Sequence, residues 1–373
     1  MSTASLTDRI GSFSRGEQVA TAGVGLLAAV LLVGVVVGWI TVTYLLYLVA
    51  LAGMYVLLSM GLNVQWGYGG LINFSVAAFF GVGAYGSALL TADSSPVAGG
   101  FSPVVGLVAG LLVAAVLAVI IGIPTLQLRD DYLAIASLGL AEVVRMIVLN
   151  EREITAGSAG LTGIPLFFAD WPVLGSLEYP FVLYVGDTAL FTMERSLLIA
   201  ELNVLLVVVF IAVVYLFLRR IHLSPWGRVL RTIRTDEDLA KSLGKDTYRF
   251  KMQAFVIGSV IMALAGVFYT HLVLYLNPQD LAPVLTFYVW IAVILGGSGS
   301  DRGAIFGGFT IIALQQGTRF LNAAGTIPVD PAALRLMIVG VLIIAIVRVR
   351  QEGILPPEKE LIWPGSTEGS ADE

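Results

Sequence analysis

Glu142 and Arg145 are two opposite charges three residues apart, inside the otherwise apolar run 132–149. On a helix that spacing puts them on one face, within pairing reach. Pairing lowers the cost of placing either charge inside a membrane. The pair reads either as a structural link at a helix interface or as a lock with two settings. A second group lies in the polar stretch 219–251. Thr235-Asp236-Glu237-Asp238 places a hydroxyl three residues before an acid, the form of a capping box. Leu239-Ala240-Lys241-Ser242-Leu243 continues the helix, and Gly244 is a natural stop. Ser224-Pro225 opens the preceding helix, which runs through Arg234. A short helix delimited at both ends suits docking to another protein. The competing reading is an amphipathic helix resting on anionic lipid.

Other chemistry is poorly served. There is no cysteine, and the two histidines, His222 and His271, lie in separate segments, so thiolate and histidine metal sites are not expected. Gly296-Gly297-Ser298-Gly299-Ser300 lacks the following Gly-Lys-Ser/Thr of a phosphate loop and reads as a tight turn. An ion pump needs carboxylates at the bilayer centre, and only the paired Glu142 lies there. Glu201 sits near the outer end of its span, within snorkelling reach. Gln315, Gln316, Thr318 and Arg319 form a polar patch that lines a pathway or meets a partner. No catalytic constellation is present, so an enzyme is not expected.

The elements that must hold these residues are membrane spans. Of the 373 residues, 57% are hydrophobic and 13% charged, against about 25% charged in soluble domains. The apolar residues come in blocks of roughly twenty, enough for a helix to cross about 30 Å of hydrocarbon. Backbone groups in lipid need internal partners, so the blocks are helices. The fold expected is all-α, a polytopic bundle with spans near 20–38, 43–62, 72–91, 104–124, 132–149, 197–218, 253–273, 284–297, 304–321 and 332–348. Nine to eleven crossings fit, because 284–297 is short and 72–91 has the look of a partly re-entrant segment. The first block is too long for a signal-peptide core and reads as retained. Residues 1–19 form a polar N-terminal segment, 20–349 one transmembrane domain and 350–373 an acidic tail.

Charge sets the orientation. The loop 219–251 holds nine of the twenty-one basic residues against four acids, so it belongs in the cytoplasm. The loop 150–196 holds two basic residues against six acids and belongs outside. Both termini are then cytoplasmic, in line with Arg9, Arg15, Arg348 and Arg350. The net charge of −5 argues against a nucleic-acid partner. Small residues at three- or four-residue spacing, as in 80–86 and 303–308, suit close helix packing or the wall of a pore.

Several stretches resemble a known family. Asp238-Leu239-Ala240-x-x-x-Gly244 resembles the EAA-type coupling helix of ATP-binding-cassette importer permeases, with Asp238 in place of Glu and Leu239 in place of Ala. Gly61-Leu62-Asn63, Gly69-Gly70-Leu71-Ile72-Asn73-Phe74-Ser75 and Phe80-Gly81-Val82-Gly83-Ala84-Tyr85 resemble the branched-chain amino-acid permeases. Asp131-Tyr132-Leu133-Ala134-Ile135, Glu142-Val143-Val144-Arg145, Leu161-Thr162-Gly163-Ile164-Pro165 and Leu295-Gly296-Gly297 are similar to their LivM-type branch. The likeness covers residues 55–345.

It implies a cell-membrane importer subunit for branched-chain or related small amino acids. Its partners would be a second related permease, two ATPase subunits that use ATP and magnesium, and an extracytoplasmic solute-binding protein. This chain would bind no cofactor itself. Coupling residues would be Asp236, Glu237, Asp238, Leu239, Ala240, Leu243 and Gly244. Gly69, Gly70, Asn73, Ser75, Gly81, Gly83 and Tyr85 are candidates for the path. Other cargo (a urea, amide, sugar or nucleoside), a stand-alone secondary transporter and a channel remain competing readings.

Overall fold

The computed structural model describes residues 41–168, 171, 181–185, 188–323 and 353–356, with isolated positions at 34, 38, 40, 337, 340, 341 and 348. The expected first and last spans, the N-terminal segment and nearly all of the tail lie outside these residues. Between them, each expected span contains a helix, the one expected at 72–91 only from Val76 onward. These are α1 (Val42–Leu62), α2 (Val76–Thr91), α3 (Pro103–Thr125) and α4 (Asp130–Asn150). The one-turn α5 (Arg152–Thr155) follows, then α6 (Arg195–His222), α7 (Pro225–Thr235), α8 (Glu237–Ser242), α9 (Thr247–Val273), α10 (Val284–Gly296) and α11 (Asp301–Ala323). The chain is a polytopic helical membrane protein. One short antiparallel hairpin, β1 (Phe181–Val185) with β2 (Thr188–Met193), sits in the acidic loop before α6. The apolar pattern gave no sign of it.

Local sequence explains where helices start and stop. Thr41 opens α1, its hydroxyl accepting from Tyr44 N at 3.3 Å. Pro103 stands at the first position of α3, where its missing N–H costs nothing. Ser224 takes the N-cap position of α7, but its hydroxyl donates to Ile221 O at 2.6 Å instead of capping. Arg219 and Arg220 close α6, beside the exposed carbonyls of its last turn.

The centre of the bundle is α1, α2 and α9. The Met60, Leu62, Phe79, Phe80, Phe255, Met262 and Phe268 side chains are buried there in one cluster. α3 and α6 lie outside this centre and keep broad aliphatic faces exposed, as spans facing hydrocarbon do. α1 and α9 are long enough to cross, α1 together with the wide turn that follows it. α2 has 16 residues and α10 has 13, reaching about 24 and 20 Å. Both fall short of a full crossing alone.

Loops segregate into two ends. At one end lie residues 63–71, the α6–α9 connection and the α10–α11 turn, joined by Arg234 to Gly67 O and to Ser298 Oγ at 3.0 Å. Ile354 N donates to Leu295 O at 2.9 Å at this same end. At the other end Leu161 and Leu276 exchange backbone bonds of 2.8 and 3.1 Å, and Asp93 N donates to Gly163 O at 3.1 Å. His271 stitches this second end together. Its Nδ1–H donates to Pro165 O at 2.8 Å, which leaves Nε2 to accept from the Ser87 hydroxyl at 2.9 Å.

Candidate functional site

The span expected at 72–91 is broken. After α1 the chain winds through a wide π turn, Asn63–Tyr68, and ends at Gly69 and Gly70. Gly70 has φ +72°, a conformation open to glycine at no steric cost. Leu71–Ser75 then runs without regular structure before α2 begins at Val76. Irregular backbone within a membrane is tolerated where protein satisfies it, and side chains do so here. Asn73 Nδ2 donates to Gln65 Oε1 at 2.6 Å, and Asn73 Oδ1 accepts from Ser75 N at 2.8 Å. Gln65 Nε2 in turn donates to Phe255 O at 2.8 Å on α9. Trp290 Nε1 donates to Asn73 O at 3.0 Å. The Ser137 hydroxyl takes Phe74 N at 2.8 Å, and the Thr286 hydroxyl takes Ala77 N at 3.1 Å. The turn after α1 together with α4, α9 and α10 therefore clamps one unwound segment. Gln65, Ser137, Thr286 and Trp290 were not among the residues expected from sequence. Their signal is a lone polar group in an apolar run, which does not say what it bonds.

The seven residues considered for a path do not share an open face. Gly69, Gly70, Asn73 and Ser75 belong to the clamped segment, with Asn73 and Ser75 fully buried. A Cβ on Gly81 would overlap the Leu281 side chain, and one on Gly83 would overlap the Ala263 backbone. Those two glycines let α2 close on its neighbours, the packing use of such spacing. Tyr85 is buried one turn beyond Gly81, and its hydroxyl has no hydrogen-bond partner among the described residues.

Beside the broken span lies a polar plug. Asp301 Oδ1 accepts from the Tyr68 hydroxyl and from Asn63 Nδ2 at 3.4 Å. Asn63 Oδ1 accepts from Gly299 N at 2.7 Å, so the 297–301 turn is fastened to the end of α1. The Tyr68 ring lies 4.4 Å from that of His222. Arg231 Nη1 donates to His222 Nε2 at 2.7 Å, which marks that nitrogen as unprotonated. Arg234 is half-buried between Gly67 and Ser298, and burial lowers its pKa from the usual guanidinium value.

The capped helix of the sequence is present, with one correction. Its N-cap is Asp236, one residue after Thr235: Asp236 Oδ1 accepts from Leu239 N at 2.9 Å. Thr235 stays in α7, its hydroxyl donating to Arg231 O at 3.0 Å. α8 stops as expected. Gly244 has φ +74°, Gly244 N donates to Lys241 O at 2.9 Å and Lys245 N donates to Ala240 O at 3.1 Å. That is a Schellman stop. Glu237 anchors the helix to the start of α9, accepting from the Lys251 ammonium and from the Thr247 hydroxyl at 2.9 Å. Partial burial pushes its pKa up, but Lys251, Thr247 and Lys241 together outweigh that and hold it below the usual range. Ala240 is buried. Leu239, Leu243 and the Asp238 carboxylate point outward, giving an apolar pair at i, i+4 beside an exposed acid that pairs with Lys241 at 3.7 Å.

Glu142 and Arg145 are paired as their spacing requires. Arg145 Nε donates to Glu142 Oε2 at 2.9 Å, and Nη2 donates to the other oxygen. Gln315 Nε2 donates to Tyr55 Oη at 3.1 Å, which ties α11 to α1. The side chains of Thr318 and Arg319 lie outside the described set.

A many-span helical protein with a clamped, broken span and a capped helix held out on its basic loop is a transport subunit in architecture. Residues 44–347 match the family described as the branched-chain amino acid transport system / permease component, and the chain belongs to that family. It is 30% identical over 81% of its length to the high-affinity branched-chain amino acid transport system permease protein LivM of Escherichia coli, covering 68% of that protein. It is 28% identical over 84% of its length to the probable LivM of Methanocaldococcus jannaschii, covering 93% of it. The LivH permease of Salmonella typhimurium is 27% identical over 70% of this chain and 81% of its own length. No solved structure shows a significant match.

Proposed function

We propose that this chain is the LivM-type permease subunit of an ATP-driven importer for branched-chain or related small amino acids in the cell membrane. It works beside a second, LivH-like permease, two ATPase subunits and an extracytoplasmic binding protein. ATP and magnesium are used by the ATPase subunits, and this chain makes no bond to nucleotide.

The observation that carries the reading is α8. A connection between two spans needs no helix stopped at both ends and fastened by Glu237 to the foot of α9. A coupling helix needs all of this: it must move as one body with a span and present a fixed surface. Leu239, Leu243 and Asp238 supply that surface. On the inner side, Arg234 links the α7–α8 unit to both the end of α1 and the α10–α11 turn. A push on α8 thereby reaches the clamped segment through Gly67, within two residues of Gly69.

The test is purification of the tagged chain from its native membrane. A co-purifying second permease and ATPase, and leucine uptake lost with the ATPase, are the expected results. A lone chain that drives uptake from an ion gradient would overturn the reading.

A further inference from the structure

We propose that the Glu142–Arg145 pair is a docking site for a zwitterion in the membrane, taking an α-carboxylate on the guanidinium and an α-ammonium on the carboxylate. The proposal rests on the amino-acid importer reading and names the substrate contact that reading leaves open.

Depth is the first argument. The span containing the pair is Asp131–Asn150. Glu142 and Arg145 stand eight and five residues before its end, about 12 and 8 Å down at 1.5 Å per residue. An arginine at that depth can reach for the interface. Arg145 does not: both ends of its fork are spent on Glu142, which lies deeper.

Exposure is the second. The Arg145 and Glu142 side chains keep 16% and 39% of their surface open. Charges at such depth face protein or water and mark substrate paths. The neighbouring outer faces show what lipid-facing surface looks like in this chain: Val108, Leu112 and Val116 on α3, and Val209, Val213 and Leu216 on α6. α4 carries such residues too, Ile135, Val143 and Ile147, and the Glu142–Arg145 pair interrupts them. One turn before Glu142 stands Gly139, exposed, with nothing within 4 Å of the place a Cβ would take. Gly139 thus leaves open space beside the pair, and Ser137 of the same helix holds the clamped segment at Phe74.

The chemistry fits one class of cargo. A guanidinium fork that holds the two oxygens of Glu142 presents the geometry an α-carboxylate needs. An incoming amino acid exchanges one internal ion pair for two, and the sum of charges stays zero throughout. No unpaired charge is left in the membrane at any stage. When the cargo leaves, the pair recloses, so the site holds weakly and releases readily. A sugar or nucleoside offers neither charge.

The chain has no cysteine of its own, so Gly139→Cys creates a unique reporter thiol. It is placed in the purified complex, without binding protein, and its labelling by a charged maleimide is followed. Leucine should slow labelling; 3-methylbutylamine and 4-methylpentanoate, each carrying one of its two charges, should not. Protection should vanish in the double variant Glu142→Gln, Arg145→Gln, with labelling and subunit composition retained. An unreactive reporter thiol, equal protection by the amine or the acid, or protection surviving the double variant would overturn the site. If the unaltered complex imports leucine while the reporter thiol is unprotected, only this inference fails. If it imports no amino acid at all, the importer reading falls first.

Discussion

At the scale of single residues, the structure separates small residues that fill contacts from those that leave space. Gly83 lies against the Ala263 backbone, which has no side chain to move aside, whereas Gly139 faces nothing within 4 Å. Gly83→Val should therefore cost at least the 1–3 kcal/mol or so of an overpacked core. Gly139→Ala should leave stability within about 0.5 kcal/mol. Thermal unfolding of the detergent-solubilised protein measures both, and equal midpoints would show that the α2–α9 contact is looser than it looks. One consequence concerns the path. A bulky residue at Gly81 or Gly83 would stop uptake by breaking helix packing, so loss of uptake there does not distinguish a path from a contact. The glycine spacing at 80–86 was legible as small-residue packing. Its partner was not, because spacing along one helix carries no information about what lies opposite. The same limit hid Ser137 and Thr286. Asp301 is a further test. Asp301→Ala strands the Tyr68 hydroxyl and the Asn63 amide, at about 1–3 kcal/mol for each buried group left unpaired. Asp301→Asn keeps an acceptor and should lose less, by the same unfolding measurement.

At the scale of elements, α8 was the most legible part of the chain, since caps are local and leave local signatures. Gly244 was placed correctly, whereas the N-cap fell one residue later than the hydroxyl-to-acid spacing implied. Thr235 and Asp236 both have a suitable oxygen, and the extended backbone at Asp236 decided between them. Asp236→Ala should cost α8 about 1 kcal/mol, read as faster amide exchange at Leu239 and Ala240. Its anchor adds a pH dependence. The Glu237 carboxyl is held below its usual range in the folded chain. Its contribution is thus fully present above the ordinary glutamate value of about 4.3 and is lost as pH falls through the lower folded value. Protection of α8, corrected for intrinsic exchange, should be flat from neutral pH to about 5 and decline in acid below about 4. Glu237→Gln should abolish that decline. A decline that persists in the variant would assign it to some other group. The broken span was less legible. Gly69-Gly70 marked a stop, but the unwinding of Leu71–Ser75 depends on donors and acceptors from α1, α4 and α10, far away in sequence.

At the scale of the whole molecule, loop charge and contacts between loops arrive at the same grouping by independent routes. The basic loop 219–251 was assigned to one side by its lysines and arginines. Through Arg234 it bonds to the α1 end and the α10–α11 turn, both of which the span order places on that side. The acidic loop 150–196 was assigned to the other side. Its Leu161–Pro165 stretch bonds to Asp93, His271 and Leu276, in the loops or at the helix end that alternate crossing puts there. Had one crossing been miscounted between 63 and 301, at least one of these bonds would have to join opposite faces of a membrane. The expected outcome is correspondingly sharp. Val97 and Lys245 are exposed in loops at opposite ends, and either one changed to Cys is the sole thiol in the chain. An impermeant maleimide should label Val97→Cys in intact spheroplasts and Lys245→Cys in inverted vesicles, each only from its own side. Labelling of both from one side would break the alternation. It would also place α8 where no cytoplasmic ATPase could reach it, and the coupling assignment would fall with the topology.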